Sequence, residues 1–346
     1  MKLLTDLNLQ EMQNLMAEMG EKPFRALQLY QAVNMGKDWE GMTNLSASFK
    51  QRLSEGYIPV GVKIVDKLTA RDGTVKYLFG LSDGNIVEGV VMKYRYGNTI
   101  CISTQVGCRM NCAFCASGLD GLVRNLTPGE MLGEVIAANC DLGGNLKDRA
   151  ITNIVLMGSG EPFDNYDNVA KFLRLVNAKE GLNISLRNIS LSTCGLIPGV
   201  DRLIEDELWV TLTFSLHAPT DEIRSGIMPV NKAYPIAQVI AAAKRYYQAS
   251  GRRVVFEYTL IKGVNDSELC AKQLAKLVSG FPTHINLIVL NYVKERGLKG
   301  TARDYANEFC ATLTKLGASA TVRRTMGADI EGACGQLRRK YIGKDA

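Results

Sequence analysis

The hydrophobic and polar positions of the first 97 residues follow two different patterns. Apolar residues recur at helical spacing in LNLQEMQNLMAEMG and KPFRALQLYQAVNMG, and each segment ends in glycine. The later segments VKIVDKLTA, TVKYLFGL and NIVEGVVMKY are typical of short strands and are separated by the turn sequences RDG and SDG. This pattern predicts a small helical plus strand accessory domain over residues 1–97.

From residue 98 onward, strand-like segments alternate with helical ones such as TPGEMLGEVIAANC and PIAQVIAAAKRYY. Such alternation predicts βα units that build a parallel sheet. Because six units are too few for a closed eight-stranded barrel, an open (β/α)6 barrel or a doubly wound sheet remains. The predicted strands are TICIST, ITNIVLM, RNISLST, WVTLTFSLH, RVVFEYTLI and HINLIVLN, with ASATVRR as a candidate seventh.

Polar residues and glycines are concentrated where the predicted strands end. In a parallel α/β sheet the carboxyl ends of the strands converge on one face, and the active site lies there. Five strand ends therefore outline a cofactor site. They contribute a cysteine cluster after the first strand and, after the others, Gly158, Gly160, Glu161, Ser192, Thr193, Ser215, His217 and Asn291.

The cysteine cluster is the most specific chemical signal in the chain. Four of the nine cysteines lie in CISTQVGCRMNCAFC, and Cys108, Cys112 and Cys115 have C-x-x-x-C-x-x-C spacing with Phe114 before the last. In a reducing compartment, clustered thiols indicate metal binding or catalysis. Four thiolates would suit a structural zinc ion, whereas three leave one iron of a 4Fe-4S cluster open to a substrate or cofactor.

Composition and charge narrow the class of protein. The chain has 346 residues, 46% of them hydrophobic, which is enough for a large core and about two domains. Its first twenty residues lack the apolar run of a signal peptide, and no run is long enough to span a membrane, so we expect a cytoplasmic protein. The net charge of +6 is small for a chain of 346 residues. Bases alternate with aromatic residues in KYRY at 93–96, which fits either a nucleic-acid surface or an ordinary solvated basic face.

The cysteine loop resembles the C-x-x-x-C-x-φ-C signature of the radical S-adenosylmethionine (SAM) superfamily, in which φ is aromatic. MGSGEP, residues 157–162, resembles the glycine-rich segment with which that superfamily contacts SAM. The resemblance implies an α/β fold, an open partial (β/α)6 TIM-like barrel of the radical SAM type. It also implies that Cys108, Cys112 and Cys115 hold a 4Fe-4S cluster whose open iron chelates SAM. The residues expected to contact SAM are Gly160, Glu161, Ser192, Ser215, Leu216, His217 and Asn291.

Longer segments resemble one family, the RlmN-type dual-specificity RNA methyltransferases, which methylate carbon 2 of adenine in 23S rRNA and in tRNA. The likeness covers nearly the whole chain, and one departure is Ser159, where the family usually has a larger apolar residue. It implies an RNA-binding accessory domain at 1–97, a radical SAM core at 98–325 and a C-terminal loop with a methyl-carrier cysteine at 326–346. It further implies 23S rRNA and tRNA as partners, together with a one-electron reductase, a thiol reductant, no membrane and a monomeric state. The segments are CISTQVGCRMNCAFCASG, MGSGEPFDNYDNV, LSTCGLIP, SLHAPTDEIRSGIMPVN, FEYTLIKGVND and GADIEGACGQLR.

The family resemblance assigns chemical roles to three residues. Cys334, in ACGQLR, would accept a methyl group from a first SAM, and a second SAM would yield a 5′-deoxyadenosyl radical that removes a hydrogen atom from that methyl group. Radical chemistry is needed because carbon 2 of adenine lies between two ring nitrogens and is electron-poor. Cys101 would be the resolving thiol, since a fourth cysteine ligand would block SAM, and its disulfide with Cys334 would release the methylated base. Glu88 would accept the proton from carbon 2.

A methyl-accepting thiol requires a low pKa, and three arginines, Arg323, Arg324 and Arg338, are placed in the sequence to lower that of Cys334. Other functions stay open at this point. They are a Cfr-type methyltransferase acting on carbon 8 of the same ribosomal adenine, another radical SAM enzyme, and an RNA-binding protein with a structural iron–sulfur cluster.

Overall fold

The computed structural model describes residues 1–337. The basic residues at 338–340 and 344, which include Arg338, and the end of the predicted 326–346 segment lie outside the described residues. The strands are β1 (Lys2–Leu3), β2 (Tyr57–Ile58), β3 (Val62–Thr69), β4 (Val75–Leu81), β5 (Ile86–Tyr94), β6 (Gly97–Ile102), β7 (Gln105–Gly107), β8 (Leu122–Asn125), β9 (Ile151–Leu156), β10 (Ile189–Thr193), β11 (Thr211–Ser215), β12 (Val254–Leu260), β13 (Thr283–Val289) and β14 (Ala320–Val322).

The helices lie mostly between the strands of the second region. They are α1 (Leu9–Glu18), α2 (Phe24–Asn34), α3 (Ala47–Ser54), α4 (Pro128–Asp141), α5 (Tyr166–Asn177), α6 (Ile197–Glu205), α7 (Asp221–Ile227), α8 (Ile236–Ser250), α9 (Glu268–Leu277) and α10 (Arg303–Lys315). Within residues 1–337, none of these helices combines the length and apolar composition that crossing a bilayer requires.

One ten-stranded sheet organises the molecule. Its strand order is β14-β13-β12-β11-β10-β9-β6-β5-β4-β3. The strands from β6 through β14 in this order pair in parallel, whereas β3, β4 and β5 are antiparallel and join the rest through β5 and β6. The edge strands β14 and β3 are far apart in this order, so the sheet is open. The seven parallel strands are the six predicted ones and the candidate seventh, and the open partial barrel is confirmed.

The sheet crosses the predicted domain boundary at 97–98 without a break. The strands assigned to the accessory domain, β3 to β5, extend the main sheet instead of forming one of their own. The helices α1 to α3 have a separate hydrophobic core around Met12, Leu29 and Phe49. The helical part of the accessory domain is therefore a distinct unit of packing, while the division at residue 97 stays a prediction.

Local sequence explains why the central elements form. Every residue of β12 (VVFEYTL) is buried, as expected for a parallel strand covered on both faces. Helix α4 begins with a capping box in which Thr127 and Glu130 each bind the other's backbone N–H, and Pro128 occupies its first turn. Because the seven strands run in the same direction, their carboxyl ends lie at the same end of the sheet.

Candidate active site

The three clustered cysteines line one cavity at the carboxyl ends of the parallel strands. Cys108, Cys112 and Cys115 follow β7, and the Cys108 amide donates to the Gly121 carbonyl at 2.9 Å. Gly107 has φ +78°, and a Cβ there would lie 2.0 Å from the Gly121 oxygen. Only glycine therefore lets the chain enter the loop in this conformation.

The donor set fits an iron–sulfur cluster. Burial raises the pKa of the Cys108 thiol to about 12, so metal binding at neutral pH would have to displace its proton. Across residues 1–337, no group of three or more cysteine, histidine or acidic side chains is close enough to hold a single metal ion. In a 4Fe-4S cluster each thiolate binds a different iron, which allows the three sulfurs to lie farther apart.

The glycine-rich turn packs directly against the cluster loop. Gly160 has φ +113°, and a Cβ there would come within 2.6 Å of Thr104 Oγ1. Ser159, the departure from the family pattern, donates from its hydroxyl to the Gly107 carbonyl at 3.3 Å, and its carbonyl accepts from the Thr104 amide at 2.8 Å. Ser159 thus connects the turn to the segment that precedes Cys108.

Glu161 lies at the cavity wall, but its carboxylate is occupied by protein donors. It accepts from the Thr193 hydroxyl and the Cys194 amide, both at 2.7 Å, and from the Phe163 amide at 3.1 Å. Burial raises the pKa of this carboxyl group despite these bonds. The contacts indicate that Glu161 fixes the turn to the end of β10.

The predicted serines and His217 gather at the same cavity. The hydroxyls of Ser192 and Ser215 lie 3.2 Å apart. His217 Nδ1 accepts from the Thr259 amide at 3.0 Å, and its ring meets Phe114 edge-on with centroids 4.8 Å apart. Burial, and secondarily Arg224, lowers the pKa of His217 to about 3, so the imidazole is neutral and carries its proton on Nε2.

Leu216 differs from the other predicted SAM contacts. It is fully buried in the main hydrophobic core and is not part of the cavity lining. Its backbone carbonyl accepts from Arg224 Nε at 3.0 Å. The Leu216 side chain therefore belongs to the core, and a contact between Leu216 and SAM stays a prediction.

The C-terminal segment, residues 326–337, closes the cavity. The Ala116 amide donates to the Gly335 carbonyl at 2.8 Å, and Asn291 Nδ2 donates to the Cys334 carbonyl at 3.0 Å. Cys334 consequently lines the same cavity as the three loop cysteines. Asn291, predicted as a SAM contact, holds the segment that carries Cys334.

Cys101 lies on β6 beside this segment. Its side chain is buried in a small cluster with Val90, Met92, Met326 and Leu337. Burial raises the pKa of the Cys101 thiol to about 12, and the second cause is repulsion from Cys334. Both thiols are free, and Cys101 packs against Met326 and Leu337 of the segment that carries Cys334.

The expectation of a low pKa for Cys334 is wrong for the protein without its cofactors. Cys334 is open to the cavity, but protein surrounds the thiol on its other sides, and this burial raises its pKa to about 12. Glu257 raises it further, whereas Arg323 lowers it. The charge of Arg323 is shared with Glu257, whose Oε1 lies 3.0 Å from Arg323 Nη1. Arg338 lies outside the described residues.

Glu88, the predicted proton acceptor, is buried on β5 and forms an ion pair with Lys76 of β4 at 2.7 Å. Sequence reasoning missed this lysine, and it also missed Glu257 and Arg224. Arg224 is completely buried and donates to the carbonyls of Cys194 and Ser215 at 2.7 and 3.1 Å. The available signal was a charged residue inside an otherwise apolar stretch, as in TVKYLFGL and VVFEYTL.

Comparison with known proteins agrees with this geometry. The family model "Radical SAM superfamily" matches residues 102–271, and "Ribosomal RNA large subunit methyltransferase N-terminal domain" matches residues 3–58. A crystal structure of a radical SAM methyltransferase from Sphaerobacter thermophilus superimposes with a TM-score of 0.94 at 41% identity, covering 98% of this chain and 100% of that one. The fold and the three-cysteine site define a radical SAM protein, and this class uses a 4Fe-4S cluster and SAM.

Two relatives narrow the class further. A Clostridium perfringens protein described as a probable dual-specificity RNA methyltransferase RlmN is 49% identical over 346 residues, which cover 99% of this chain and 98% of the relative. A protein of the same description from Alkaliphilus oremlandii is 50% identical over 341 residues, covering 98% of each. The chain belongs to the RlmN family of radical SAM methyltransferases.

Proposed function

We propose that this protein methylates carbon 2 of one adenine in 23S rRNA and of one adenine in tRNA, using two SAM molecules per turnover. The observation that carries the proposal is the position of Cys334. It lies at the cavity lined by Cys108, Cys112 and Cys115, and its segment packs against Cys101. An iron–sulfur protein without methyl transfer would not need a thiol at this place.

Each part of the site has a task in this reaction. The three loop cysteines would hold the cluster, and SAM would lie between the glycine-rich turn, Ser192, Ser215 and His217, which line the same cavity. When bound, the cluster and SAM supply the carbon radical that the electron-poor ring requires. Cys334 carries the methyl group and Cys101 resolves the product by forming a disulfide with it.

The raised pKa of Cys334 has a direct consequence for its methylation. A thiol that is protonated at neutral pH is a poor nucleophile, so its proton must leave when SAM binds. Bound SAM would place the positive charge of its sulfonium in a cavity lined by Cys334 and by Glu257, the partner of Arg323. An opposite charge nearby favours the thiolate, and methyl transfer then follows from proximity.

RNA would contact the turn between β5 and β6. Tyr94 and Tyr96 stack with centroids 5.0 Å apart, and Tyr96 is 67% exposed. Aromatic faces of this kind stack on nucleobases, and the basic residues next to them suit phosphates.

A one-electron reductase and a thiol reductant complete the cycle. We place the enzyme in the cytoplasm, because its RNA substrates and reductants are found there. We also propose that it acts as a monomer.

The test is identification of the product. The reconstituted enzyme is incubated with SAM, a reductant and either unmethylated 23S rRNA or unmethylated tRNA, and the digested RNA is compared with 2-methyladenosine and 8-methyladenosine standards by chromatography and mass spectrometry. We expect 2-methyladenosine from both RNAs. Only 8-methyladenosine would identify a Cfr-type enzyme, and cleavage of SAM without any RNA product would contradict the proposal.

A further inference from the structure

Lys76 and Glu88 form an ion pair inside the protein. The ammonium nitrogen lies 2.7 Å from Glu88 Oε1, and the two side chains are only 3% and 2% exposed. Solvent and salt screen such a pair far less than a surface pair. Removing one partner would leave the other charge buried without compensation, which is strongly unfavourable.

The strand register places this pair on the face that carries Cys101. Lys76 is opposite Val90 in the β4–β5 ladder, and Val90 is opposite Cys101 in the β5–β6 ladder. Glu88 is two residues before Val90, and alternate residues of a strand share a face. The predicted proton acceptor and the predicted resolving thiol therefore point to the same side of the sheet.

The same lysine also contacts the C-terminal segment. Lys76 Nζ lies 3.2 Å from the Glu331 carbonyl, three residues before Cys334. Two neighbouring bonds support this contact, because the Gly327 amide donates to Asp72 Oδ2 at 3.0 Å and the Arg71 amide donates to Asp329 Oδ2 at 3.1 Å. One ammonium group thus binds both the acceptor carboxylate and the segment that carries the methyl group.

We propose that Lys76 is a positioning residue for RNA methylation, which holds Glu88 as a carboxylate on the Cys101 face and ties it to the Cys334 segment. This inference rests on the proposed function, in which Glu88 accepts the proton from carbon 2. A neighbouring cation favours the ionised form of a buried carboxyl group, and only the ionised form accepts a proton. The ion pair therefore prepares Glu88 for the step after carbon–carbon bond formation.

Other titratable groups lie on the elements packed against Glu88. Cys101 approaches from β6, and Glu331 belongs to the C-terminal segment. Glu134 of α4 lies behind the sheet and accepts from the Ser103 amide at 3.2 Å, while the Ser103 hydroxyl donates to the Glu88 carbonyl at 2.9 Å. Arg323, a cation close to Cys101, is paired with Glu257 at 3.0 Å, whereas the Lys76 ammonium lies 2.7 Å from Glu88.

The experiment compares Lys76→Met and Lys76→Arg with Glu88→Gln in the reconstituted holoenzyme. The control is Lys67→Met, which removes an ammonium 2.7 Å from Asp141 in a partly exposed pair of the adjacent strand β3. Three quantities are measured for each variant. They are iron content, S-methylcysteine at position 334 without RNA, and the rate of RNA methylation from pH 6 to 9.

Lys76→Met should keep its iron and its methylated Cys334 but methylate RNA about tenfold or more slowly at pH 7, because each pKa unit changes the ionised fraction up to tenfold. Its rate should recover as the pH rises, since a carboxyl group without its cation ionises at higher pH. Lys76→Arg should stay close to the unsubstituted rate, and Lys67→Met should match it at every pH. Glu88→Gln should be inactive throughout.

Two results would overturn the inference. A Lys76→Met enzyme with an unchanged rate and pH profile would show that the pair is dispensable, and a rate lowered equally at every pH would show a structural role only. Failure of the proposed function is distinguishable from both, because Glu88→Gln would then methylate RNA normally or the unsubstituted enzyme would form no 2-methyladenosine.

Discussion

Replacement of Arg224 by methionine tests whether a buried cation holds the strand ends that form the site. Arg224 is 0% exposed and has no acidic partner among its hydrogen bonds. Its guanidinium instead donates to four backbone carbonyls, those of Cys194, Ser215, Leu216 and Tyr234, at 2.7, 3.1, 3.0 and 3.2 Å, and to Asn231 Oδ1 at 2.9 Å. The first three of these residues close β10 and β11 at the cavity. Methionine fills similar space but offers no donor.

The expected cost follows from these bonds. Each hydrogen bond to a charged group contributes about 1.5–3 kcal/mol, and a buried acceptor left without a partner costs about 1–3 kcal/mol. The Leu216 carbonyl keeps a second donor, the Ala218 amide at 2.8 Å, so the carbonyls of Cys194, Ser215 and Tyr234 and the side-chain oxygen of Asn231 carry most of the loss. We therefore expect the free energy of unfolding to fall by at least about 3 kcal/mol, which is a large part of the stability of an ordinary domain.

Urea denaturation followed by circular dichroism measures this loss, with Arg245→Met as the matched control. Arg245 pairs with Asp201 at 2.6 Å on the surface, where both side chains are nearly half exposed, so its loss should cost less than about 1 kcal/mol. Arg224→Lys, which keeps the charge but loses the fork of donors, should fall between them. If Arg224→Met lost no more stability than Arg245→Met, the carbonyl contacts would not be stabilising the strand ends.

Three further predictions concern the thiols. Alanine at Cys108, Cys112 or Cys115 should abolish the oxygen-sensitive brown colour, because each thiolate would bind one iron. Iron and sulfide analysis of each variant checks this prediction. One tightly bound zinc ion in the unsubstituted protein would refute it. Cys334→Ala should keep the cluster but transfer no methyl group, and peptide mass spectrometry of the active enzyme should find S-methylcysteine there. The Cys101→Ala variant should retain covalently attached RNA, visible as a nuclease-sensitive shift of the protein on a denaturing gel. This shift should disappear when Cys334 is also replaced. A Cys101→Ala variant that shows no shift and still turns over would remove Cys101 from the mechanism.

The parallel part of the fold was predictable because strand-like segments alternate with helical ones along the chain. The clearest strand is β12, VVFEYTL, in which every residue is buried. The union of β3 to β5 with the main sheet was not predictable, since strand pairing is a long-range choice that local patterns do not encode. Short antiparallel strands separated by turns are equally compatible with a separate small sheet.

The site was predictable wherever the strand-end rule applies. Ser192, Ser215 and His217 were found because a parallel sheet places its carboxyl ends together, whatever the family. Buried charges were missed because their partners come from distant parts of the chain. The pKa of Cys334 was misjudged for the same reason, since the sequence displays nearby arginines but conceals both the burial of the thiol and the engagement of Arg323 by Glu257.

The backbone of the C-terminal segment is held from several directions, while its cysteine, Cys334, faces the cavity. The carbonyls of Glu331, Cys334, Gly335 and Leu337 accept hydrogen bonds from β4, from the loop after β13 and from the two residues that follow Cys115. Backbone anchoring leaves a side chain free to rotate between neighbours. In the proposed mechanism Cys334 would meet SAM, then adenine, then Cys101, and a side chain that rotates on a fixed backbone suits this sequence of contacts. The segment around Cys334 therefore takes its place in the site only through hydrogen bonds from distant elements to its backbone.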